Sequence, residues 1–113
     1  MHEISIAESI LQIIEDTARA EGYARVKVVW LEIGQLAGVE TESLRFCFDV
    51  VARDSIARDA RLEIIETAGL GWCMECACNR VVTSRYEPCP DCGSFRMEVT
   101  GGDEMRVREL EVE

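Results

Sequence analysis

The stretch GLGWCMECACNRVVTSRYEPCPDCG, residues 69–93, decides how the chain is read. It contains two Cys-x-x-Cys pairs, Cys73/Cys76 and Cys89/Cys92, separated by twelve residues. Each pair sits on a turn short enough to present two sulfurs side by side. Two such turns supply the four thiolates of a tetrahedral Zn²⁺ site. Gly93 follows the last cysteine, which suits a tight turn whose backbone N–H groups point at thiolate sulfur. A four-sulfur tetrahedron also holds iron, as in a rubredoxin-type electron carrier, and colour separates the two metals. All four positions are taken by protein, so the site reads as structural. Metal binding then contributes folding energy to a segment with little core of its own. Cys78, two residues beyond Cys76, is read as a spare thiol, with an alternative ligand or a redox-sensitive neighbour as the functional reading. The strands of this ribbon are expected at Val81–Tyr86 and Phe95–Val99.

Outward from this segment the character changes. Ser5 to Glu21 carries Ile6, Ile10, Ile14 and Ala18 at spacing four, which predicts a helix. Ser5 and Glu8 fit an S-x-x-E capping box, although a start as early as Glu3 is compatible, and Gly22 supplies the stop. Arg25 to Ile33 is apolar on both faces and is expected to be a strand buried inside a sheet. A loop punctuated by Gly34 and Gly38 leads to a second helix, Glu40 to Arg53, with Leu44, Cys47, Phe48 and Val51 on one face. Cys47 is expected in the core as a small apolar residue. Arg61 to Thr67 is a second strand. From Asp103 the strand pattern returns, with a slip of parity between Arg108 and Glu109 that predicts a β-bulge. The expected fold is α+β: two helices on a three-stranded sheet, with an inserted zinc-ribbon module. Residues 1–68 and 103–113 would form the first domain, and residues 69–102 the ribbon.

Composition narrows the function. The 113 residues include 12 basic and 22 acidic groups, a net charge of −10. Neither half is basic: residues 1–69 carry 7 basic and 13 acidic groups, and residues 70–113 carry 5 and 9. A zinc-ribbon adaptor for nucleic acid would present a basic stripe, so no nucleic-acid partner is expected. No apolar run is long enough to cross a membrane. The opening Met1-His2-Glu3 lacks the basic region and apolar run of a secretory signal, so a cytoplasmic location is expected. There, six cysteines with clustered pairs favour metal over disulfides. With one histidine and no nucleophile–base constellation, an enzyme is not expected.

That histidine is His2, and its position gives it chemistry. The terminal amine of Met1, the backbone nitrogen of His2 and its imidazole can close two fused chelate rings on one metal. The Glu3 backbone nitrogen could complete a planar set, and its carboxylate could add an oxygen ligand. Tetragonal nitrogen-rich coordination suits Ni(II) or Cu(II) better than Zn²⁺.

Four stretches together resemble the HypA/HybF family of hydrogenase nickel-incorporation proteins. They are the opening Met1-His2-Glu3 with its Ile/Ala-rich helix; Val28-Val29-Trp30-Leu31-Glu32-Ile33-Gly34; the segment Val39 to Val51 around Ser43-Leu44-Arg45-Phe46; and the late pair of Cys-x-x-Cys knuckles. The resemblance implies a nickel metallochaperone in which His2 is the essential nickel ligand, with Met1 and Glu3 adding terminal amine and backbone donors. It places Glu40 near the nickel site, although a carboxylate at a helix N-terminus accounts for Glu40 equally well. It makes Cys73, Cys76, Cys89 and Cys92 the ligands of a structural Zn(II). It names a nickel-handling GTPase and the precursor of a NiFe hydrogenase large subunit as partners. Whether the chain acts alone or as a homodimer stays open.

Overall fold

A computed structural model of the chain describes residues 3–113. Its elements in chain order are α1 (Glu3–Glu21), β1 (Val26–Gly34), α2 (Thr41–Val51), β2 (Arg61–Thr67), β3 (Gly69–Cys73), β4 (Cys78–Val82), β5 (Met97–Gly101) and β6 (Met105–Val112). They form two three-stranded sheets, ordered β2-β1-β6 and β4-β3-β5. The chain packs as two compact units. One contains the residues up to Leu31 with Val39–Ile64 and Val107–Glu113; the other contains Glu32–Gly38 and Ile65–Arg106.

In the first unit, α1 packs against α2. The fourfold spacing of the isoleucines puts Ile10 and Ile14, with Ala7, on the buried side of α1, and Leu44 and Phe48 are their buried counterparts on α2. α1 begins at Glu3, so Ser5 lies within the helix and is no cap: it offers its carbonyl to the Ser9 hydroxyl at 3.0 Å. The helix stops where the Gly22 N–H closes onto Ala18 O. Tyr23 then folds back, its hydroxyl donating to Ile14 O at 2.8 Å.

β1 is the central strand of its sheet, and Val28, Val29, Leu31 and Ile33 are all buried, so both faces are covered as the apolar run requires. α2 ends at Val51 rather than Arg53. The Ala52 N–H bonds Phe48 O, and Ser55 donates its hydroxyl to Ala52 O while accepting from Ala57 N–H, which turns the chain. Cys47 is only half-buried, because Leu44 and Phe48 define the centre of the buried face. Arg45 donates to Leu62 O and so links α2 to β2.

In the second unit β3 is the middle strand, pairing antiparallel with β4 from Gly69↔Val82 to Cys73↔Cys78, and with β5 on its other side. The ribbon strands therefore differ from the expected Val81–Tyr86 and Phe95–Val99. β4 ends at Val82 because the Glu87 carboxylate accepts the N–H groups of Thr83 and Ser84 and the Thr83 hydroxyl, which diverts the backbone into a turn. β5 starts at Met97 because Ser94 is engaged elsewhere: its carbonyl accepts Cys89 N–H and its hydroxyl accepts Arg96 N–H. The register irregularity of this ribbon lies between Leu70 and Gly71. In β6 the burial pattern slips phase between Arg108 and Glu109, where the sequence parity does.

Backbone crowding requires glycine at one crossing. Gly102 has φ +75°, and a Cβ there would lie 2.2 Å from Ala68 O; a Cβ on Gly34 would lie 2.0 Å from Gly102 O. The Gly102 carbonyl accepts Leu36 N–H at 2.7 Å.

Candidate metal centre

Cys73 is the last residue of β3, and the four-residue turn that follows carries Cys76. Ala77 closes that turn with φ +55°, donating its N–H to Cys73 O at 2.8 Å, and the Cys76 N–H points at Cys73 Sγ at 3.3 Å. The second knuckle repeats the device. Gly93, with φ +75°, donates to Cys89 O at 2.8 Å, and Cys89 N–H is held by Ser94 O at 2.8 Å. The Met74 N–H bonds Arg96 O at 3.0 Å and so ties the first knuckle to the chain beyond the second.

These turns bring four sulfurs together. Cys73 Sγ lies 3.6 Å from Cys92 Sγ, Cys76 Sγ lies 3.9 Å from Cys89 Sγ, and all four atoms fall within 4.8 Å of one another. A Zn–S bond of about 2.3 Å implies tetrahedron edges of roughly 3.8 Å, so the sulfur spacing matches a four-thiolate site. Cys73 and Cys89 are buried, Cys76 is half-buried and Cys92 is exposed.

The protonation pattern is that of a cluster ready for a cation. Cys76 is pushed up to about 12, first by the neighbouring sulfurs of Cys92 and Cys73. Cys89 is pulled down to about 6, chiefly because its sulfur accepts the backbone N–H of Cys92 and, more weakly, of Asp91. Cys92 is raised: the Ser94 N–H and the Cys76 thiol lower it, but burial and hydrogen bonds with Cys73 and Cys89 outweigh them. Four sulfurs this close cannot all be anionic without a positive charge among them, and a divalent metal supplies that charge.

Sequence reading missed Arg80. Burial works against its charge, yet Asp91 and the sulfurs of Cys78 and Cys76 raise its pKa above the ordinary value. Its Nε lies 2.6 Å from Asp91 Oδ2, an ion pair without an aligned N–H···O bond. An arginine two residues past a Cys-x-Cys carries no motif; only the register of β4 brings it beside the knuckle loop. Cys78 stays outside the quartet, half-buried at the start of β4 opposite Cys73.

Of the residues read as a second metal site, Met1 and His2 lie outside the described residues. Glu3 and Glu40 are brought together. The Glu40 N–H donates to Glu3 Oε2 at 3.3 Å, and the Glu40 carboxylate caps its own helix by accepting Glu42 N–H at 3.1 Å. Two negative groups thus meet at the N-terminus of α2, where the helix dipole favours them. No helix among the described residues is long and apolar enough to cross a membrane.

The chain is similar to known proteins over its whole length. The family model described as "Hydrogenase/urease nickel incorporation, metallochaperone, hypA" matches residues 1–112. The hydrogenase maturation factor HypA of Azotobacter chroococcum mcd 1 is 58% identical over 113 residues, covering 100% of both chains. That of Azotobacter vinelandii is 56% identical, again over 100% of both chains. The solution structure of the Ni metallochaperone HypA from Helicobacter pylori superposes with a TM-score of 0.72 at 25% identity, covering 99% of this chain and 97% of that one.

Proposed function

Since the chain belongs to the HypA family of hydrogenase/urease nickel-incorporation metallochaperones, we propose that it takes up Ni(II) at its N-terminus and hands it on during maturation of a NiFe hydrogenase. One observation carries the division of labour. The four-cysteine cluster fills all four corners of a tetrahedron with protein sulfur, so a metal that must leave again needs a different site. The single histidine, His2, is the imidazole that such a site can use.

In this reading His2, the Met1 amine and the Glu3 backbone nitrogen hold nickel as transferable cargo. A chelate built on backbone nitrogens and one imidazole can release its metal by ligand exchange, which a closed thiolate cage does poorly. The contact between Glu3 and Glu40 supports a role for Glu40 at the edge of this site, through the shared start of two helices. Residues 1–68 with 103–113 form the nickel-binding domain, and residues 69–102 the zinc ribbon. Zn(II), held by Cys73, Cys76, Cys89 and Cys92, supplies the charge that keeps four thiolates together. The chain binds and transfers; it does not catalyse. Its partners are a nickel-handling GTPase and the precursor of the hydrogenase large subunit, and its place is the cytoplasm.

Nickel titration of the native chain, of His2→Ala and of a version with one residue added before Met1 tests the reading. Both changes are expected to abolish tight nickel binding while zinc stays near one per chain. Native affinity should fall as the pH drops below about 6.5, where imidazole protonates. Tight binding that survives in the extended version removes the terminal amine from the site.

A further inference from the structure

Arg80 lies on β4, an edge strand of the ribbon sheet, and the residues across the pair fix where its side chain goes. Directly opposed residues of an antiparallel pair share one face of the sheet. Cys78 stands opposite Cys73, Arg80 opposite Gly71 and Val82 opposite Gly69. Arg80 therefore projects from the face that carries Cys73, and Gly71 puts no side chain in its way. The other face carries Leu70, Trp72, Asn79 and Val81. A shift of one position would turn the arginine away from the sulfurs.

The guanidinium reaches from β4 to the second knuckle. Its Nε lies 2.6 Å from Oδ2 of Asp91, which sits inside the Cys89–Cys92 turn, and Nη1 donates to Asn79 O at 3.2 Å. Nε is itself buried, with no aligned acceptor among the described residues. The sulfurs of Cys78, Cys76 and Cys89 all favour the charge on Arg80. One cation thus stands beside sulfurs of both knuckles. The other arginines of the ribbon are placed differently. Arg85 faces Asp103 and Arg96 faces Glu75, all four side chains being well exposed, whereas the Arg80 side chain is only 29% exposed.

A divalent ion among four thiolates leaves a centre with four negative charges against two positive ones. That excess keeps the sulfur lone pairs available to electrophiles, and a thiolate that is alkylated releases its metal. Groups outside the ligand sphere tune a metal through the charge and hydrogen bonds they offer its ligands. A guanidinium is always charged, and it is weakly hydrated, so it keeps its charge when partly buried against sulfur.

We propose, on the reading that zinc occupies the quartet, that Arg80 is the charge-compensating residue of the four-cysteine centre: its guanidinium damps the nucleophilicity of the thiolates and so keeps the structural metal from being lost.

Treating the full zinc-loaded chain with excess iodoacetamide, and following freed zinc with a colorimetric indicator, tests this. Arg80→Gln is expected to release zinc about ten-fold faster than the native chain. Arg80→Lys keeps the charge and should stay closer to the native rate than Arg80→Gln does. Asp91→Asn separates charge from bracing. It breaks the ion pair but leaves the cation beside the sulfurs, so release should be no faster than native; a mere brace would make Asp91→Asn as fast as Arg80→Gln. Cobalt(II) in place of zinc gives a spectroscopic readout. Without the cation, sulfur electrons transfer to the metal more easily, so the sulfur-to-cobalt charge-transfer band of Arg80→Gln should move to longer wavelength. Circular dichroism and metal content before reaction establish that each variant is folded. Native-like release or an unmoved band in Arg80→Gln overturns the proposal. So does faster release from Asp91→Asn, which decides the matter even if Arg80→Gln fails to load metal. A folded native chain that holds no zinc fails at an earlier point, the occupancy of the quartet, and overturns both readings.

Discussion

Loading of zinc into the metal-free four-cysteine cluster should release protons in a number that the geometry dictates. Zn²⁺ binds thiolates, so every thiol that is protonated beforehand must give up its proton. Near pH 7, Cys89, pulled down to about 6, is already ionised. Cys76, pushed up to about 12, and Cys92, also raised, are protonated. Counting Cys76 and Cys92 alone, at least two protons leave for each zinc bound. Affinity therefore rises with pH, about ten-fold per proton, or roughly a hundred-fold per pH unit from these two thiols. The dependence steepens below about pH 6, where Cys89 also carries a proton in the metal-free chain. Calorimetric zinc titration of the chelator-stripped chain, in two buffers of different protonation heat, counts the protons directly. A count below two at pH 7 would refute the reasoning: the sulfurs would then be ionised in advance, without the crowding that their spacing implies.

Two further outcomes test the packing. Phe48→Ala, at a side chain 1% exposed between the helices, should cost about 3–5 kcal/mol in chemical denaturation of the zinc-loaded chain. Gly102→Ala forces a side chain onto a backbone with φ +75° and within 2.2 Å of Ala68 O; denaturation should show a loss of more than about 1 kcal/mol, whereas alanine at the open, exposed Ser43 should change little.

The clustering of the four cysteines was legible in the chain because Cys-x-x-Cys is a local device. A turn of four residues brings its two sulfurs together whatever the rest of the fold does, and two such turns leave few ways to satisfy four thiolates. The helices were legible for a similar reason. The spacing of Ile6, Ile10 and Ile14 describes one face of a helix before any partner is known. The start of α1 was less so, since the Ser5–Glu8 pair fits a cap on paper while the helix reaches back to Glu3.

What the sequence determined by itself, then, is short in range: the periodicity of helices, the doubly apolar run that makes β1 a central strand, and the sulfur pairs. Tertiary structure decided what depends on partners distant along the chain. β3 is central to the ribbon although Gly69-Leu-Gly-Trp-Cys73 alternates apolar side chains with glycine and so carries little strand signal; pairing on both edges makes it a strand. Arg80 meets Asp91, and Glu3 meets the start of α2, through strand register and helix packing that no local pattern encodes. Local turns and periodicities are set by bonded geometry over a few residues, whereas the contacts of Arg80 with Asp91 and of Glu3 with Glu40 join residues 11 and 37 apart in sequence and exist only once the chain has closed on itself.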